Sequence, residues 1–251
     1  MKAKKHLGQH FLDDQLVVDR IISLIEEKCE KDVPMLEVGP GQGVLTYRLA
    51  NVFTKFKALE FDRDMIDILR KRLSDDQLIQ AEFLSYDFNA LFDGTEFNLV
   101  GNFPYNISSQ IIFKMLDNVE RIPKMIGMFQ KEVAERICAT PGGKKNGILS
   151  LRTQAYYDCE LIFDIPPEAF NPPPKVNSSI IFLNRKENDL MDCDPKIFSR
   201  LLKTSFQQRR KKMRNTLSGM VQNLDDPIYQ KRPEELSVEE FVNIARNIKS
   251  N

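Results

Sequence analysis

The sequence predicts an α/β fold: a parallel sheet covered by helices on both faces, an antiparallel pair of strands at one sheet edge, and a small C-terminal all-helical domain. Two observations indicate this fold. Short apolar runs alternate with segments of helical periodicity through residue 139, and only helical periodicity appears from residue 195 onward. The composition also changes near residue 186. We therefore predict one domain over residues 1–185 and a second over residues 186–251.

The alternation starts with a helix. Residues 16–28 carry apolar side chains at the spacing of one helical face, and the apolar run at 35–39 stops in a glycine-proline turn, as a buried strand does. The same order then repeats along the chain. We predict helix 44–51, strand 56–61, a helix from Asp62 to Leu73, strands 78–84 and 97–100, helix 107–117, strand 125–129 and helix 130–139.

Two further strands break this alternation. Residues 159–165 and 176–183 are rich in strand-forming side chains, and the segment between them holds five of the thirteen prolines instead of a helix. Parallel neighbours need a longer crossover connection than this segment offers. The spacing therefore predicts that the two strands form the antiparallel pair at the sheet edge.

Length, charge and cysteine spacing exclude several classes of protein. The chain has 251 residues, of which 42% are hydrophobic, so it can bury a core; its 36 basic and 36 acidic residues give no excess of charge. It has neither an apolar run long enough to span a membrane nor the pattern of a secretory signal. The four cysteines lack zinc-site spacing. We predict a cytoplasmic protein with no bound metal.

A glycine-rich turn follows the first predicted strand. In Gly39-Pro-Gly41-Gln-Gly43 the third glycine comes one position earlier than in a dinucleotide fingerprint. Glu60 follows 21 residues after Gly39, at the end of the next strand, where a carboxylate can accept hydrogen bonds from ribose hydroxyls. Asp87 is placed to contact the amino group of an adenine. These residues favour a cofactor that contains adenosine, and the alternative is a plain tight turn.

The tetrapeptide Asn102-Phe103-Pro104-Tyr105 lies at the edge of the same predicted crevice. The exocyclic amine of adenine is a poor nucleophile because its lone pair is delocalised into the ring. Two acceptors, the side-chain carbonyl of Asn102 and the backbone carbonyl of Phe103, would stabilise charge that develops on this nitrogen. Pro104 restrains Phe103, and Tyr105 offers a flat face for stacking. The alternative is a turn with a buried aromatic residue.

These and other motifs give the sequence its resemblance to the KsgA family of small-subunit ribosomal RNA adenine N6-dimethyltransferases. The further matches are Gly8-Gln-His-Phe-Leu12, Glu37-Val-Gly-Pro-Gly41, Glu60-Phe-Asp62, Gln130-Lys-Glu-Val-Ala-Glu-Arg136, Pro172-Pro-Pro-Lys-Val176 and Gln208-Arg-Arg-Lys-Lys-Met-Arg-Asn215. They occur in the family's order over nearly the whole chain. The sequence departs from the family in two places, with His10 where Asn is frequent and Phe103 where Leu or Ile is frequent.

The resemblance implies a Rossmann-like methyltransferase domain over residues 1–185 that uses S-adenosylmethionine. It implies catalytic roles for Asn102, Phe103, Pro104 and Tyr105, and cofactor contacts from His10, Leu12, Gly39, Gly41, Glu60, Asp87 and Asn102. The implied substrate is a pair of adjacent adenines near the 3′ end of 16S rRNA, each methylated twice within an immature 30S subunit. We expect the protein to act as a monomer.

Two clusters of cations predict where RNA binds. The N-terminal cluster includes Lys4 and Lys5. The second cluster lies between residues 195 and 217, which contain no acid, so a phosphate-binding role is favoured over a merely solvated face. The residues that we predict to bind RNA are Lys4, Lys5, Arg209, Arg210, Lys211, Lys212 and Arg214.

Two other functions remain open from the sequence. Macrolide-resistance methyltransferases share the fold and much of the motif set, but they act on large-subunit rRNA. The segment 130–136 and the long match at 172–177 favour the small-subunit enzyme. A ribosome-assembly factor that mainly binds RNA is the other alternative. The complete set of Gly39, Glu60, Asn102 and Tyr105 argues against the loss of catalysis.

Overall fold

The computed structural model describes residue 4, residues 8–187 and residues 192–248. The chain forms two compact units. The first contains residues 1–134 and 160–185, and the second contains residues 135–159 and 186–251. None of the helices in the described ranges is both long enough and apolar enough to cross a membrane.

The elements alternate in the predicted order. They are β1 (Phe11–Leu12), α1 (Gln15–Lys28), β2 (Met35–Val38), α2 (Thr46–Val52), β3 (Phe56–Glu60), α3 (Arg63–Leu69), β4 (Leu78–Gln80), β5 (Asn98–Asn102), α4 (Ser108–Leu116), β6 (Lys124–Gln130) and α5 (Lys131–Ile137). There follow α6 (Ile148–Tyr156), β7 (Tyr157–Ile165), β8 (Phe170–Asn171), β9 (Ser178–Arg185), α7 (Pro195–Gln207), α8 (Met213–Thr216) and α9 (Val238–Arg246).

Seven strands form the main sheet, in the order β4-β3-β2-β5-β6-β9-β7. The first five of these strands run parallel, and β9 runs antiparallel to β6. The strands β9 and β7 are neighbours at the edge, as predicted from the proline-rich connection. The parallel strands place their carboxyl ends along one edge of the sheet, and β2 and β5, where the direction of strand addition reverses, are adjacent there. The predicted fold is confirmed.

Helix α1 shows why these segments form these elements. The side chain of Asp14 accepts hydrogen bonds from the N–H groups of Leu16 and Val17 and so caps the helix. One face of α1 is buried, through Val18, Ile21, Ile22, Leu24 and Ile25. Strand β2 is buried along its whole length, as expected for a central parallel strand with helices on both faces.

Two elements end four residues before the predicted position. Helix α3 is capped by Asp62 as predicted, but it ends at Leu69, and residues 70–73 form turns. Strand β4 ends at Gln80. The next residue, Ala81, donates its N–H to the carbonyl of Glu60 at 3.0 Å, and the chain then leaves the strand direction.

The second unit has its own core. Helices α6, α7 and α9 contribute most of it, through Leu151, Ala155, Leu201, Leu202, Phe241 and Val242 among others. Ser237 and Glu240 form a capping box at the start of α9, and Asp194 caps α7. The boundary near residue 186 agrees with this division, but the assignment of residues 135–159 to the first domain does not. They belong to the second unit because α6 buries its apolar side chains among the C-terminal helices.

Candidate active site

A cavity of about 240 Å³ lies at the carboxyl edge of the parallel strands. Its wall comes from the segment before β1, from the turn after β2, and from the ends of β3, β4 and β5. The lining residues include His10, Leu12, Glu37, Gly39, Gly41, Glu60, Ala81, Glu82, Asn102, Phe103, Pro104 and Tyr105. The structure thus brings together all but one of the predicted catalytic and cofactor-binding residues.

The glycine turn forms one wall of the cavity. Gly39 and Gly41 have φ angles of 68° and 56°, and residues other than glycine rarely adopt such angles. A Cβ atom at Gly41 would lie 3.1 Å from the ring of Phe11, so the turn also needs glycine for space. The N–H of Gly41 points inward and donates to the Glu60 carboxylate at 3.2 Å. At Gly39 and Gly41 the turn therefore brings only backbone to the cavity wall.

Glu60 ends β3 and is 7% exposed. Its Oε1 atom accepts hydrogen bonds from the N–H groups of Phe61 and Asp62, at 2.9 and 2.8 Å, and its Oε2 atom accepts the bond from Gly41. Burial raises the pKa of this carboxyl, although the three N–H donors act to lower it. These donors fix the direction of the carboxylate at the cavity wall.

Glu37 lies beside Glu60 at the cavity and is 2% exposed. Its Oε2 atom is buried and lacks a hydrogen-bond partner in the described part of the chain. Burial raises the pKa of Glu37 to about 8. The Thr46 hydroxyl acts to lower this pKa, and the negative charge of Glu60 acts to raise it. An unpartnered buried oxygen beside the glycine turn fits a ligand that brings hydrogen-bond donors or positive charge. The sequence analysis noted Glu37 only as part of a motif.

Asn102 ends β5, and its side chain has a fixed orientation. Its Nδ2 atom donates to the backbone carbonyl of His10 at 2.9 Å. This bond turns the side-chain oxygen, Oδ1, away from His10 and leaves it available as an acceptor. Among the described residues, no hydrogen bond uses Oδ1 of Asn102 or the carbonyl oxygen of Phe103. Two neighbouring acceptors are therefore unused at the cavity.

Phe103 and Pro104 shape the backbone between these two acceptors. Phe103 is 1% exposed, and its ring lies 5.1 Å from the ring of Phe129. Its N–H donates to the carbonyl of Met128 on β6 at 3.3 Å. The next backbone carbonyl, that of Pro104, accepts a hydrogen bond from the Ser108 hydroxyl at 3.2 Å. The packed ring and the β6 contact thus hold the Phe103 peptide in place.

Tyr105 is half-buried and held at both ends. Its ring stacks on that of His10, with centroids 5.4 Å apart and an angle of 25° between the planes. Its hydroxyl is hydrogen-bonded to that of Ser178, a fully buried residue at the start of β9. Burial raises the pKa of Tyr105. Sequence reasoning missed Ser178, because nothing in the local sequence connects two residues that lie 73 positions apart.

The segment before α1 closes one side of the cavity. His10 donates from Nδ1 to the carbonyl of Pro172 at 2.8 Å, so its side chain faces Tyr105 and the proline loop. Leu12 is buried and pairs with Phe170 in the short ladder between β1 and β8. His10 and Leu12 therefore both line the cavity, and their contacts with a cofactor stay a prediction.

Lys4 lies farther along the same segment, and its charge is already paired. Its Nζ atom lies 2.5 Å from a carboxylate oxygen of Asp62 and 2.7 Å from one of Asp64. These bonds raise the pKa of Lys4. Gln9 also donates to Asp62, at 2.8 Å. These contacts hold the segment to the start of α3, and an RNA contact from Lys4 stays a prediction. The other predicted residue, Lys5, lies outside the described residues.

Asp87 is the predicted cofactor residue that the cavity does not include. It is exposed, and its carboxylate accepts a hydrogen bond from the N–H of Asn89 at 2.9 Å. Glu82 and Ala81 line the cavity at the corresponding end of β4. A contact between Asp87 and an adenine stays a prediction. In the described ranges, no three His, Cys, Asp or Glu side chains form a group that could hold a metal ion.

Comparison with known proteins identifies the family. The family model described as ribosomal RNA adenine dimethylase matches residues 1–249. The chain belongs to this family. The resemblance seen in the motifs is thereby confirmed. Ribosomal RNA small subunit methyltransferase A of Bacteroides fragilis is 46% identical over 254 residues, which cover 99% of this chain and 93% of that protein.

Two solved structures share the fold of this ribosomal RNA adenine dimethylase family member. A dimethyladenosine transferase from Plasmodium falciparum has a TM-score of 0.79 and 24% identity, and the match covers 94% of this chain and 96% of that one. The 23S rRNA methyltransferase ErmE has a TM-score of 0.71 and 23% identity, with coverage of 94% and 99%. Since both proteins share the fold, the fold alone does not distinguish between their substrates.

The remaining predicted RNA-binding residues of this family member lie in its second unit. Arg210, Lys211, Lys212 and Arg214 are exposed. The Nζ atom of Lys212 donates a long hydrogen bond, 3.4 Å, to the side-chain oxygen of Gln230. Arg209 is half-buried and differs from the others, because its guanidinium group is directed at other parts of the second unit.

Proposed function

We propose that this protein transfers methyl groups from S-adenosylmethionine to the N6 atoms of two adjacent adenines near the 3′ end of small-subunit rRNA. The observation that carries the proposal is the pair of unused acceptors at the cavity, Oδ1 of Asn102 and the carbonyl of Phe103. The 46% identity to a small subunit methyltransferase favours small-subunit rRNA as the substrate.

The cavity wall offers the groups that this cofactor needs. The carboxylate of Glu60 would accept hydrogen bonds from the ribose hydroxyls, and the turn at Gly39 and Gly41 lets the backbone approach the ligand. Leu12 and the backbone of His10 would cover its other side. Asp87, which lies outside the cavity wall, would contact its adenine. S-adenosylmethionine supplies an electrophilic methyl group on a positively charged sulfur. The unpartnered oxygen of Glu37 suits a cofactor that carries positive charge and N–H donors.

Asn102 and Phe103 would activate the target amine. In the first transfer their oxygens would accept hydrogen bonds from its two N–H groups, and in the second transfer from the one N–H group that is left. These bonds would stabilise the positive charge that grows on the nitrogen as it becomes tetrahedral. Hydrogen bonds to a charged group contribute about 1.5–3 kcal/mol each, so the pair can supply a rate factor on the order of 10²–10⁴. No general base is needed before the new N–C bond forms, because the amine attacks as a neutral group. The bond between the methyl group and sulfur would break in the same step and leave a neutral thioether. The positively charged nitrogen would then release one proton to solvent.

Tyr105 would hold the target base. An adenine in folded RNA must leave its stack to reach the cavity, and an aromatic face compensates for the stacking that is lost, by about 1–3 kcal/mol. The hydrogen bond of Tyr105 to Ser178 and its stacking on His10 fix the plane of its ring in advance. An immature small subunit as the partner, a cytoplasmic location and a monomeric state are parts of this proposal.

The test compares two substrates. Small and large ribosomal subunits from a strain that lacks the methylation are each incubated with the protein and S-adenosylmethionine labelled in the methyl group. We expect label in the small-subunit rRNA alone, at up to four methyl groups per subunit, since each of two adenines receives two. Label in the large-subunit rRNA would instead assign the chain to the macrolide-resistance type, and RNA binding without transfer would favour an assembly factor.

A further inference from the structure

Cations in the second unit differ in whether they already have partners. The guanidinium of Arg209 donates from Nη2 to the backbone carbonyl of Lys144, and its Nε atom lies 3.8 Å from a carboxylate oxygen of Glu234. In contrast, the side chains of Arg210, Lys211 and Arg214 make no hydrogen bond or ion pair within the described ranges. The guanidinium of Arg209 therefore has partners inside the second unit, while Arg210, Lys211 and Arg214 are free to meet a ligand.

The partner of Arg209 belongs to a glycine-rich loop, residues 140–147, which connects α5 to α6. The N–H of Gly142 donates to the carbonyl of Glu234 at 2.8 Å. The amide of Asn146, 1% exposed, donates to the carbonyls of Glu234 and Leu236 at 3.0 and 3.2 Å and accepts a bond from Ser150. The loop is thus fixed on both sides of Lys144.

Two adjacent lysines in this loop have different environments. The Nζ atom of Lys145 forms an ion pair with the carboxylate of Glu135. The side chain of Lys144 is exposed and has no partner among the described residues, and its own carbonyl is the group that Arg209 binds. Lys144 is therefore held next to the basic segment 209–214 with its charge unpaired.

We propose that Lys144 forms one phosphate-binding surface with Arg210, Lys211 and Arg214, and that Arg209 is a positioning residue that holds Lys144 in this surface. The partner is the backbone of the rRNA substrate, so the inference rests on the proposed function. An unpaired cation gains most from a phosphate, because it releases counterions without first breaking an internal ion pair. Lys145 must give up Glu135 to do the same, so it contributes little.

The first test uses the two lysines as a matched pair. Binding of the full-length protein to unmethylated small subunits is measured over a range of salt concentrations for Lys144→Ala and Lys145→Ala. Both sites are exposed, so both variants should fold. We expect Lys144→Ala to weaken binding several-fold at low salt and to reduce the slope of log K against log salt by about 0.7–0.9, the value of one phosphate contact. Lys145→Ala should leave both quantities unchanged, and neither variant should alter the affinity for S-adenosylmethionine.

The second test addresses Arg209. If it acts through Lys144, the losses caused by Arg209→Ala and Lys144→Ala should overlap, so that the double variant binds about as well as Arg209→Ala alone. The losses of binding free energy caused by Arg210→Ala and by Lys144→Ala should add in the double variant, since each substitution removes its own phosphate contact. Additive losses for Arg209 and Lys144 would overturn the positioning role.

The outcomes separate this inference from the proposed function. Equal binding by Lys144→Ala and the unchanged protein, in preparations that methylate small subunits, would overturn the surface and leave the function intact. Failure of the unchanged protein to methylate small subunits would overturn the proposed function itself. Equal losses of RNA affinity in Lys144→Ala and Lys145→Ala would also contradict the inference. They would show that binding depends on total positive charge and not on a specific contact from Lys144.

Discussion

Gly101 and Gly127 are partners in the register of β5 and β6, and the ring of Phe103 lies against both. A Cβ atom at Gly127 would lie 2.4 Å from Cε2 of Phe103, and one at Gly101 would lie 3.0 Å from Cε1. Phe103 stands where the KsgA family often has Leu or Ile. The two glycines therefore make the room that the larger ring needs, beside the carbonyl that we assign to the target amine.

Gly127→Ala should disturb the site through this contact. The added methyl group meets Phe103 and also Phe129, whose Cε2 atom would be 2.7 Å away. Overpacking of this kind costs about 1–3 kcal/mol and shifts neighbouring side chains. We expect a lower free energy of unfolding and a fall in kcat that exceeds the change in cofactor affinity. Urea unfolding, single-turnover methylation and cofactor titration measure the three quantities.

Phe103→Leu provides the matching control. A leucine is smaller than the ring, so the double variant Gly127→Ala with Phe103→Leu should recover much of the lost kcat and stability. Equal activity of the two variants that carry Gly127→Ala would show that Phe103 does not transmit the effect.

Asn102→Ala removes one of the two acceptors. We expect kcat to fall about 10²–10³-fold, as for the loss of one preorganised group that stabilises transition-state charge. Binding of S-adenosylmethionine should largely persist. Rapid-quench methylation together with a calorimetric titration separates the two effects. Turnover at the normal rate would remove Asn102 from the mechanism.

The bond between Tyr105 and Ser178 predicts a recovery in a double variant. Ser178→Ala leaves the tyrosine hydroxyl without its partner, and Tyr105→Phe leaves a buried serine hydroxyl unpaired. Each single change should raise KM for RNA more than it lowers kcat, because the ring orients the base. The double variant leaves no hydroxyl unpaired. Its KM for RNA should therefore be closer to that of the unchanged protein than the sum of the two single effects would give. Strictly additive effects on KM would contradict a positioning role for Ser178.

Glu37 predicts how stability depends on pH. The folded chain retains the proton of Glu37 up to about pH 8, whereas an unfolded glutamate loses it near pH 4.5. Between these values the unfolded state binds fewer protons, so this residue makes the free energy of unfolding fall as pH rises, and its effect levels off above pH 8. Glu37→Gln cannot titrate. Urea unfolding at several pH values gives the free energy of unfolding of both proteins. The difference between these two free energies should change between pH 4.5 and pH 8. A difference that stays constant over this range would refute the raised pKa of Glu37.

Much of the cavity could be predicted because its residues follow strand ends. Gly39, Glu60 and Asn102 each come directly after or at the end of a strand, and parallel strands bring such positions together at one sheet edge. The order of helices and strands was predictable for a similar reason, since hydrophobic periodicity reports which faces are buried.

The rest depends on contacts between residues that are distant in sequence. No local pattern indicates that Lys4 pairs with Asp62, or that Arg209 turns toward Lys144 while Arg210 does not. The placement of residues 135–159 also depends on tertiary packing, because α6 could bury its apolar side chains against either unit. Cations in a run look alike in sequence, and only the structure shows which of them have partners.

Mass-spectrometric mapping of methylated nucleosides tests the central claim most directly. Unmethylated small subunits are incubated with S-adenosylmethionine and either the unchanged protein or Asn102→Ala, and the rRNA is then digested and sequenced. The account predicts N6,N6-dimethyladenosine at two adjacent positions near the 3′ end with the unchanged protein, and only traces with the variant. Methylation on another base or atom, or equal product from both proteins, would contradict it.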